Sequence, residues 1–383
     1  MGAGGNLPAE DRPAEAETVE VVVEKPSPAA APKTSQGGAL RFSGIGSSVA
    51  AKDGRKQLLQ GVTAEVKPGE VLAIMGPSGA GKTVLMNALT FNSPDSGLVE
   101  GQIALGDSAL DEVTFTRECC TVTQEDRHWA FLTAEEIVRT AADLYMDASS
   151  EVKQARVDAL LKEMGLEGCR GTKAGNEFLQ GLSGGQKRRL SLAVALIKEP
   201  KVIFLDEPTS GLDAAAAASI MMFLKQLAAD KQIIVVCTIH QPSTKVFDGF
   251  DKVMLLSNGR EVFCGPAADT PTYFKSIGKP FPLACNPAEY MLDIVNREFS
   301  DPAEVDRIIG EWKSGDLAVA SQKVVSKGPI YRVNFATQTM VLLKKHLKLT
   351  MRDPTVYLGR LIMFIMATCF FVRPEPPAKD RPP

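Results

Sequence analysis

The residues best suited to chemistry begin at Gly76-Pro77-Ser78-Gly79-Ala80-Gly81-Lys82-Thr83, which fits the spacing G-x-x-x-x-G-K-[ST]. A glycine-rich turn can aim consecutive backbone N–H groups inward, because few side chains block the approach of a phosphate. Lys82 adds a mobile cation for the outer phosphates, and the Thr83 hydroxyl is spaced as a Mg2+ ligand. A second group is Asp206-Glu207, two acids directly after the apolar run Val202-Ile203-Phe204-Leu205. At the C-terminal end of a buried strand, the first acid suits Mg2+ held through water and the second suits polarising an attacking water. Such pairs are more often solvated surface, but Pro208-Thr209-Ser210-Gly211-Leu212-Asp213 follows at once and is unlike an ordinary surface turn. His240, one of 3 histidines, comes after another apolar run, Ile233-Ile234-Val235-Val236-Cys237. Its imidazole N–H is a suitable donor to a γ-phosphate.

Gly181-Leu182-Ser183-Gly184-Gly185-Gln186-Lys187-Arg188-Arg189 carries a different signal. Ser183 is spaced as an N-cap with Gln186 three residues on, and Leu190, Val194 and Ile197 then share one helical face. Glycine in a helix costs about 1 kcal/mol relative to alanine. A cap alone does not need Gly184 and Gly185, whereas a phosphate approaching the positive end of the helix does.

These groups need strands and helices to hold them. Val71-Leu72-Ala73-Ile74-Met75 reads as a buried strand before the glycine loop, and Val84-Leu85-Met86-Asn87-Ala88-Leu89 as the opening of a helix after it. With 202–205 and 233–237, three apolar runs each end in a ligand-bearing turn, as in an open parallel sheet. Short strand-like runs from Ala39 to Val66 and at Gly101–Leu105 predict a small antiparallel layer, and the strand Cys120–Thr123 ends at Gln124. Between about 130 and 197 the periodicity turns helical. Thr133 and Glu136 make a capping box, and a helix over about Ser150–Met164 sets Val152, Val157, Leu160, Leu161 and Met164 along one side.

At 383 residues, 44% apolar and 23% charged, the chain can bury a large core and has room for two domains. A net charge of -3 gives no whole-chain sign of a nucleic-acid partner. The 7 cysteines are odd in number and lack a C-x-x-C pair, which argues for a reducing compartment. Residues 1–38, rich in Gly, Ala, Glu and Pro, read as a disordered tail.

With these motifs in this order, the chain resembles the ATP-binding cassette (ABC) ATPases over roughly residues 40 to 295. The fold implied is an α/β P-loop ATPase domain, with a mixed central sheet, a small antiparallel β layer and a helical subdomain at about 130–197. The resemblance implies that Gly76, Pro77, Ser78, Gly79, Ala80, Gly81, Lys82 and Thr83 bind ATP, and that Thr83, Gln124 and Asp206 hold Mg2+. It implies that Glu207, His240 and Lys82 are catalytic, and that Ser183, Gly184, Gly185 and Gln186 bind the nucleotide held by a second chain. Ser210 to Asp213 matches the family's dimer-contact loop. Thr238-Ile239-His240-Gln241-Pro242-Ser243 and Cys285-Asn286-Pro287-Ala288-Glu289-Tyr290-Met291-Leu292-Asp293 look like the G (White) subfamily, whose ATPase domain precedes its membrane domain. This likeness implies a half-transporter with a cytoplasmic ATPase domain at 39–295. It would pair with an identical or related chain and couple ATP hydrolysis to export of a lipid-like or hydrophobic substrate across a membrane. The alternative is a catalytically silent ATP-binding partner that regulates full-length half-transporters. Family members usually stack adenine on an aromatic upstream of the loop; this chain has none between Ser43 and Met75, and Phe42 is nearest.

Residues 296–330 read as a linker. In 331–352, Val333, Phe335, Met340, Val341, Leu342 and Leu347 alternate with Lys344, Lys345, His346, Lys348 and Arg352. The expectation is an amphipathic helix in a membrane interface with its cations toward headgroups; covering a soluble core is the other reading. The apolar run Leu361 to Val372 would cover about 18 Å of a hydrocarbon core near 30 Å. With 355–373 as a partial first transmembrane helix and 374–383 as a disordered tail, a C-terminally truncated half-transporter is expected, a genuine short form being the alternative.

Overall fold

The computed structural model describes residues 38–51, 54–93, 97–283, 285–312, 317 and 332–371. The tails expected at 1–38 and 374–383 lie outside these residues, save Gly38. The antiparallel layer is built from β1 (Leu40–Ala51), β2 (Gly54–Val66), β4 (Gly97–Leu105) and β5 (Ser108–Ala109), in the order β2-β1-β4-β5. The larger sheet contains β3 (Val71–Met75), β6 (Cys119–Val122), β7 (Val202–Leu205), β8 (Ile234–Thr238), β9 (Lys252–Ser257) and β10 (Arg260–Pro266). Its order is β10-β9-β3-β8-β7-β6, parallel throughout except for the β10-β9 edge.

The helices are α1 (Lys82–Leu89), α2 (Glu112–Glu118), α3 (Ala134–Tyr145), α4 (Ser150–Glu163), α5 (Gly184–Leu196) and α6 (Ala214–Lys231). They continue as α7 (Thr244–Phe247), α8 (Thr270–Ser276), α9 (Pro287–Val295), α10 (Pro302–Glu311), α11 (Phe335–Arg352) and α12 (Pro354–Phe371).

Strands of the larger sheet are apolar at nearly every position because both faces are covered. Val71, Ala73 and Met75 of β3 join the core formed with the helices, while Leu72 and Ile74 point the other way, onto α1 and the antiparallel layer. Ile203 and Leu205 of β7 divide from Val202 and Phe204 in the same manner. Each such side chain except that of Ala73, fully buried, contributes about 1.5–3 kcal/mol.

Three expectations are corrected. Val152 is 54% exposed, because five residues before Val157 it falls about 140° round the helix from it; Val157, Leu160, Leu161 and Met164 are buried. The span read as a linker contains α10, capped by Asp301, with Pro302 in its first turn and Val305, Ile308 and Ile309 buried at helical spacing. Trp312, just beyond it, donates to the buried Glu261 of β10 at 3.0 Å, and the same carboxylate accepts the Thr63 N–H of β2. This carboxylate ties α10 to both sheets.

The third correction concerns α11. Lys345, Lys348 and Arg352 turn toward α3 and its neighbour Trp129 rather than outward. Arg352 makes a two-pronged pair with Glu136 at 2.6 and 3.0 Å, Lys348 meets the same carboxylate at 2.5 Å, and the Lys345 ammonium lies 3.9 Å from the centre of the Trp129 ring. A countercharge and a π face on and beside α3 explain the choice. Phe335, Met340, Leu342, Leu343 and Leu347 are left exposed, as are the large apolar side chains of α12 from Tyr357 to Phe371. No single described helix is long and apolar enough to cross a membrane; α11 and the 357–371 part of α12, bent by 59°, pass that test as a pair.

Candidate functional site

The parallel strands β3, β8, β7 and β6 lie side by side, so their C-terminal ends form one edge of the sheet. β3 runs into the glycine loop, β8 ends two residues before His240, β7 ends directly before Asp206, and β6 ends two residues before Gln124. All the groups expected on strands therefore meet at that edge. Gly76 is glycine for want of space: an added Cβ would stand 2.4 Å from the Leu256 carbonyl oxygen. Gly81 caps α1 with a φ of 104°, in the region that favours glycine. Lys82, 8% exposed, donates to the carbonyls of Gly76 at 2.7 Å and Pro77 at 3.1 Å. Burial lowers the pKa of its ammonium, and the nearby charges of Glu207 and Asp206 oppose that effect. Thr83 is exposed beside it.

The acids are locked together by Thr238, the last residue of β8. Its hydroxyl donates to Asp206 Oδ1 at 2.5 Å and accepts the Glu207 N–H at 2.9 Å. Glu207 has a φ of +43°, a left-handed conformation that costs a non-glycine residue about 1–3 kcal/mol and persists only where the surroundings enforce it. Gln124 donates through Nε2 to Glu207 Oε2 at 2.9 Å and to Ser210 Oγ at 3.2 Å. Its amide oxygen, the Thr83 hydroxyl and the Asp206 carboxylate are all oxygen donors, a set that fits a small hard cation such as Mg2+.

Ser183 caps α5 as its spacing predicts. Its hydroxyl accepts the Gln186 N–H at 3.3 Å, while Gln186 Oε1 accepts the Ser183 N–H at 2.9 Å. The Gln186 side chain is thus engaged in the cap, and the Ser183 O–H keeps its proton to donate elsewhere. An added Cβ on Gly185 would meet nothing within 4 Å, and on Gly184 only the Leu212 side chain at 3.4 Å. Internal packing therefore does not require the two glycines. His240 is exposed. Phe42 is fully buried between the sheets, so its ring is closed to a nucleotide base.

Sequence reasoning missed Thr238 and Arg188. The first was legible as the hydroxyl residue ending an apolar strand; the second acts on backbone carbonyls, for which sequence has no marker.

Two family models match the chain: ABC transporter over residues 59–210, and ABC-2 type transporter over 240–307. The residues matched by the second include α7, β9, β10, α8, α9 and the first part of α10. Among curated relatives, "ABC transporter G family member 22" of Dictyostelium discoideum is 37% identical over 292 residues, 74% of this chain and 46% of its own length. "ABC transporter G family member 26" of Arabidopsis thaliana is 38% identical over 67% of this chain and 37% of its own. "ABC transporter G family member 1" of Petunia hybrida is 34% identical over 82% of this chain and 53% of its own. The chain thus spans about a third to a half of the length of these relatives. By its matched regions and these likenesses, the chain belongs to the ABC transporters, as a relative of their G family.

Proposed function

We propose that this chain is the ATP-binding and hydrolysing subunit of a G-type half-transporter, in which two chains close head to tail on two nucleotides. The observation that carries the reading is the convergence of the glycine loop, Gln124, Asp206, Glu207 and His240 at one sheet edge. The backbone N–H groups of Gly76 to Thr83 cradle the phosphates, and Lys82 exchanges its loop carbonyls for phosphate oxygens. Thr83, Gln124 and Asp206 would hold Mg2+, which when bound neutralises phosphate charge. Glu207 orients the attacking water and accepts its proton, and His240 donates to the γ-phosphate. Ser183, Gly184 and Gly185 of the facing chain complete the cradle at the positive end of α5. Gln186 contributes by fixing the cap.

The chain sits at a membrane, with the ATPase domain on the cytoplasmic side and α11 lying between that domain and the bilayer. The exposed apolar side chains of α11 and α12 support this placement, since α11 turns its cations to the protein. Hydrolysis resets the pair and drives export of a lipid-like or hydrophobic substrate.

The test is ATP turnover by the full chain in detergent, wild type against Glu207→Gln. Loss of the general base lowers kcat by about 100-fold or more; equal rates in the two proteins contradict the assignment.

A further inference from the structure

Arg188 lies one turn inside α5, the helix that opens at Ser183, and the residue is 2% exposed. The guanidinium reaches across to the ends of β6 and β7. Nε donates to the Pro208 carbonyl at 3.1 Å, and Nη2 donates to the carbonyls of Asp206 at 3.1 Å and Glu207 at 2.9 Å. Nη1 donates to the Thr123 carbonyl at 2.7 Å and to Asp126 Oδ1 at 3.2 Å. A guanidinium has five N–H donors in a fixed plane, and each one has an acceptor. Asp126 is itself held: Ser191, also on α5, donates to its Oδ1 at 2.6 Å, and His128 Nε2 lies 3.0 Å from the Ser191 hydroxyl.

Three of those acceptors are consecutive carbonyls bracketing Glu207, the residue with a left-handed φ of +43°. A fourth is the carbonyl of the residue before Gln124, whose amide meets the Glu207 carboxylate. A lysine could not replace this arrangement, since an ammonium has three donors and no planar fork.

We propose that Arg188 is a positioning residue for hydrolysis: from the helix that carries Ser183, it fixes the backbone on which the Glu207 carboxylate is aimed. The inference rests on the proposed two-chain sandwich, and it goes further. The helix end that touches the neighbour's nucleotide and the base that serves the chain's own nucleotide are joined through one side chain. Arg188 contacts backbone carbonyls and Asp126 rather than substrate, so its loss acts through the residues carried on that backbone, Glu207 foremost.

Single-turnover hydrolysis and ATP binding by the full chain in detergent test this with Arg188→Lys, Glu207→Gln and the double variant. A misplaced base lowers the Arg188→Lys rate by about 10–100-fold, with half-saturating ATP close to wild type; the melting temperature falls as well, because buried carbonyls lose their donors. In the Glu207→Gln background, Arg188→Lys has no further effect, because the group it positions is already gone. Wild-type rate in Arg188→Lys, a parallel loss of ATP binding, or full additivity with Glu207→Gln overturns the role of Arg188 while leaving the ATPase reading intact. Equal rates in wild type and Glu207→Gln overturn both. Where Arg188→Lys does not fold, Asp126→Asn loosens the guanidinium at one donor only: a smaller fall in rate is expected, and an unchanged rate overturns the proposal.

Discussion

Thr238 and Gly185 make the chemistry of single residues testable apart from the fold. Thr238→Val keeps the shape of the side chain in β8 but removes the hydroxyl that joins Asp206 Oδ1 to the Glu207 N–H. Leaving such a donor unpaired costs about 1–3 kcal/mol. We expect a lower melting temperature together with slower ATP hydrolysis, read by a thermal melt and a phosphate-release assay. Gly185→Ala should separate the two quantities. The added methyl meets nothing in this chain, and alanine in a helix is favoured over glycine by about 1 kcal/mol, so stability is kept or raised. ATP turnover should fall, because the methyl would stand where the proposed two-chain sandwich brings the neighbour's phosphate. Unimpaired turnover would mean that no phosphate comes there. Lys82, Asp206, Glu207 and the cap at Ser183 were legible in the sequence because their chemistry dictates residue type and spacing. Arg188 was not: four of its five partners are carbonyls from residues 123 to 208, brought together only by the sheet.

Among elements, α11 shows most clearly what periodicity leaves open. Its pattern gave an amphipathic helix, but a pattern assigns faces without saying which face meets protein. The answer lies in Glu136, which closes the capping box of α3 with Thr133 and also receives Lys348 and Arg352. Burial pushes the pKa of that carboxyl up, but the bonds from Arg352 and Lys348 outweigh it and hold the value at about 2, below 4.5. A depressed carboxyl stabilises the docked state above the unfolded value and loses that contribution as pH falls toward the folded one. Docking of α11 should therefore weaken between pH 4.5 and about 2, followed by Trp129 fluorescence, since Lys345 sits over that ring. Glu136→Gln tests the same contact at neutral pH. Glutamine can still serve the capping box, so α3 stays formed while α11 loses its ion pairs. These pairs are partly exposed and worth about 1 kcal/mol at most each, enough to raise amide exchange in α11 several-fold. Exchange unchanged from wild type would show that the pairs do not hold the helix. The strands β3 and β7 were legible to the residue, because a strand covered on both faces must be apolar throughout. The helix α10 was hidden by polar neighbours, although its three buried positions follow helical spacing.

At the scale of the molecule, the α/β P-loop architecture and the antiparallel layer followed from the order of apolar runs and glycine turns. The pairing of chains belongs to a level that one sequence addresses only through its motifs. One chain offers one glycine loop and one Ser183-capped helix. The central claim is that a second copy closes over the bound nucleotide. A nucleotide held by both chains must promote their association by mass action, and slowing its hydrolysis should preserve the closed pair. Sedimentation velocity of the 383-residue Glu207→Gln chain in detergent, with and without Mg-ATP, measures this directly. The account predicts a shift from one chain to two on adding Mg-ATP, reversed when the nucleotide is removed. A chain that binds ATP to saturation yet sediments alone, or pairs equally well without nucleotide, would contradict it.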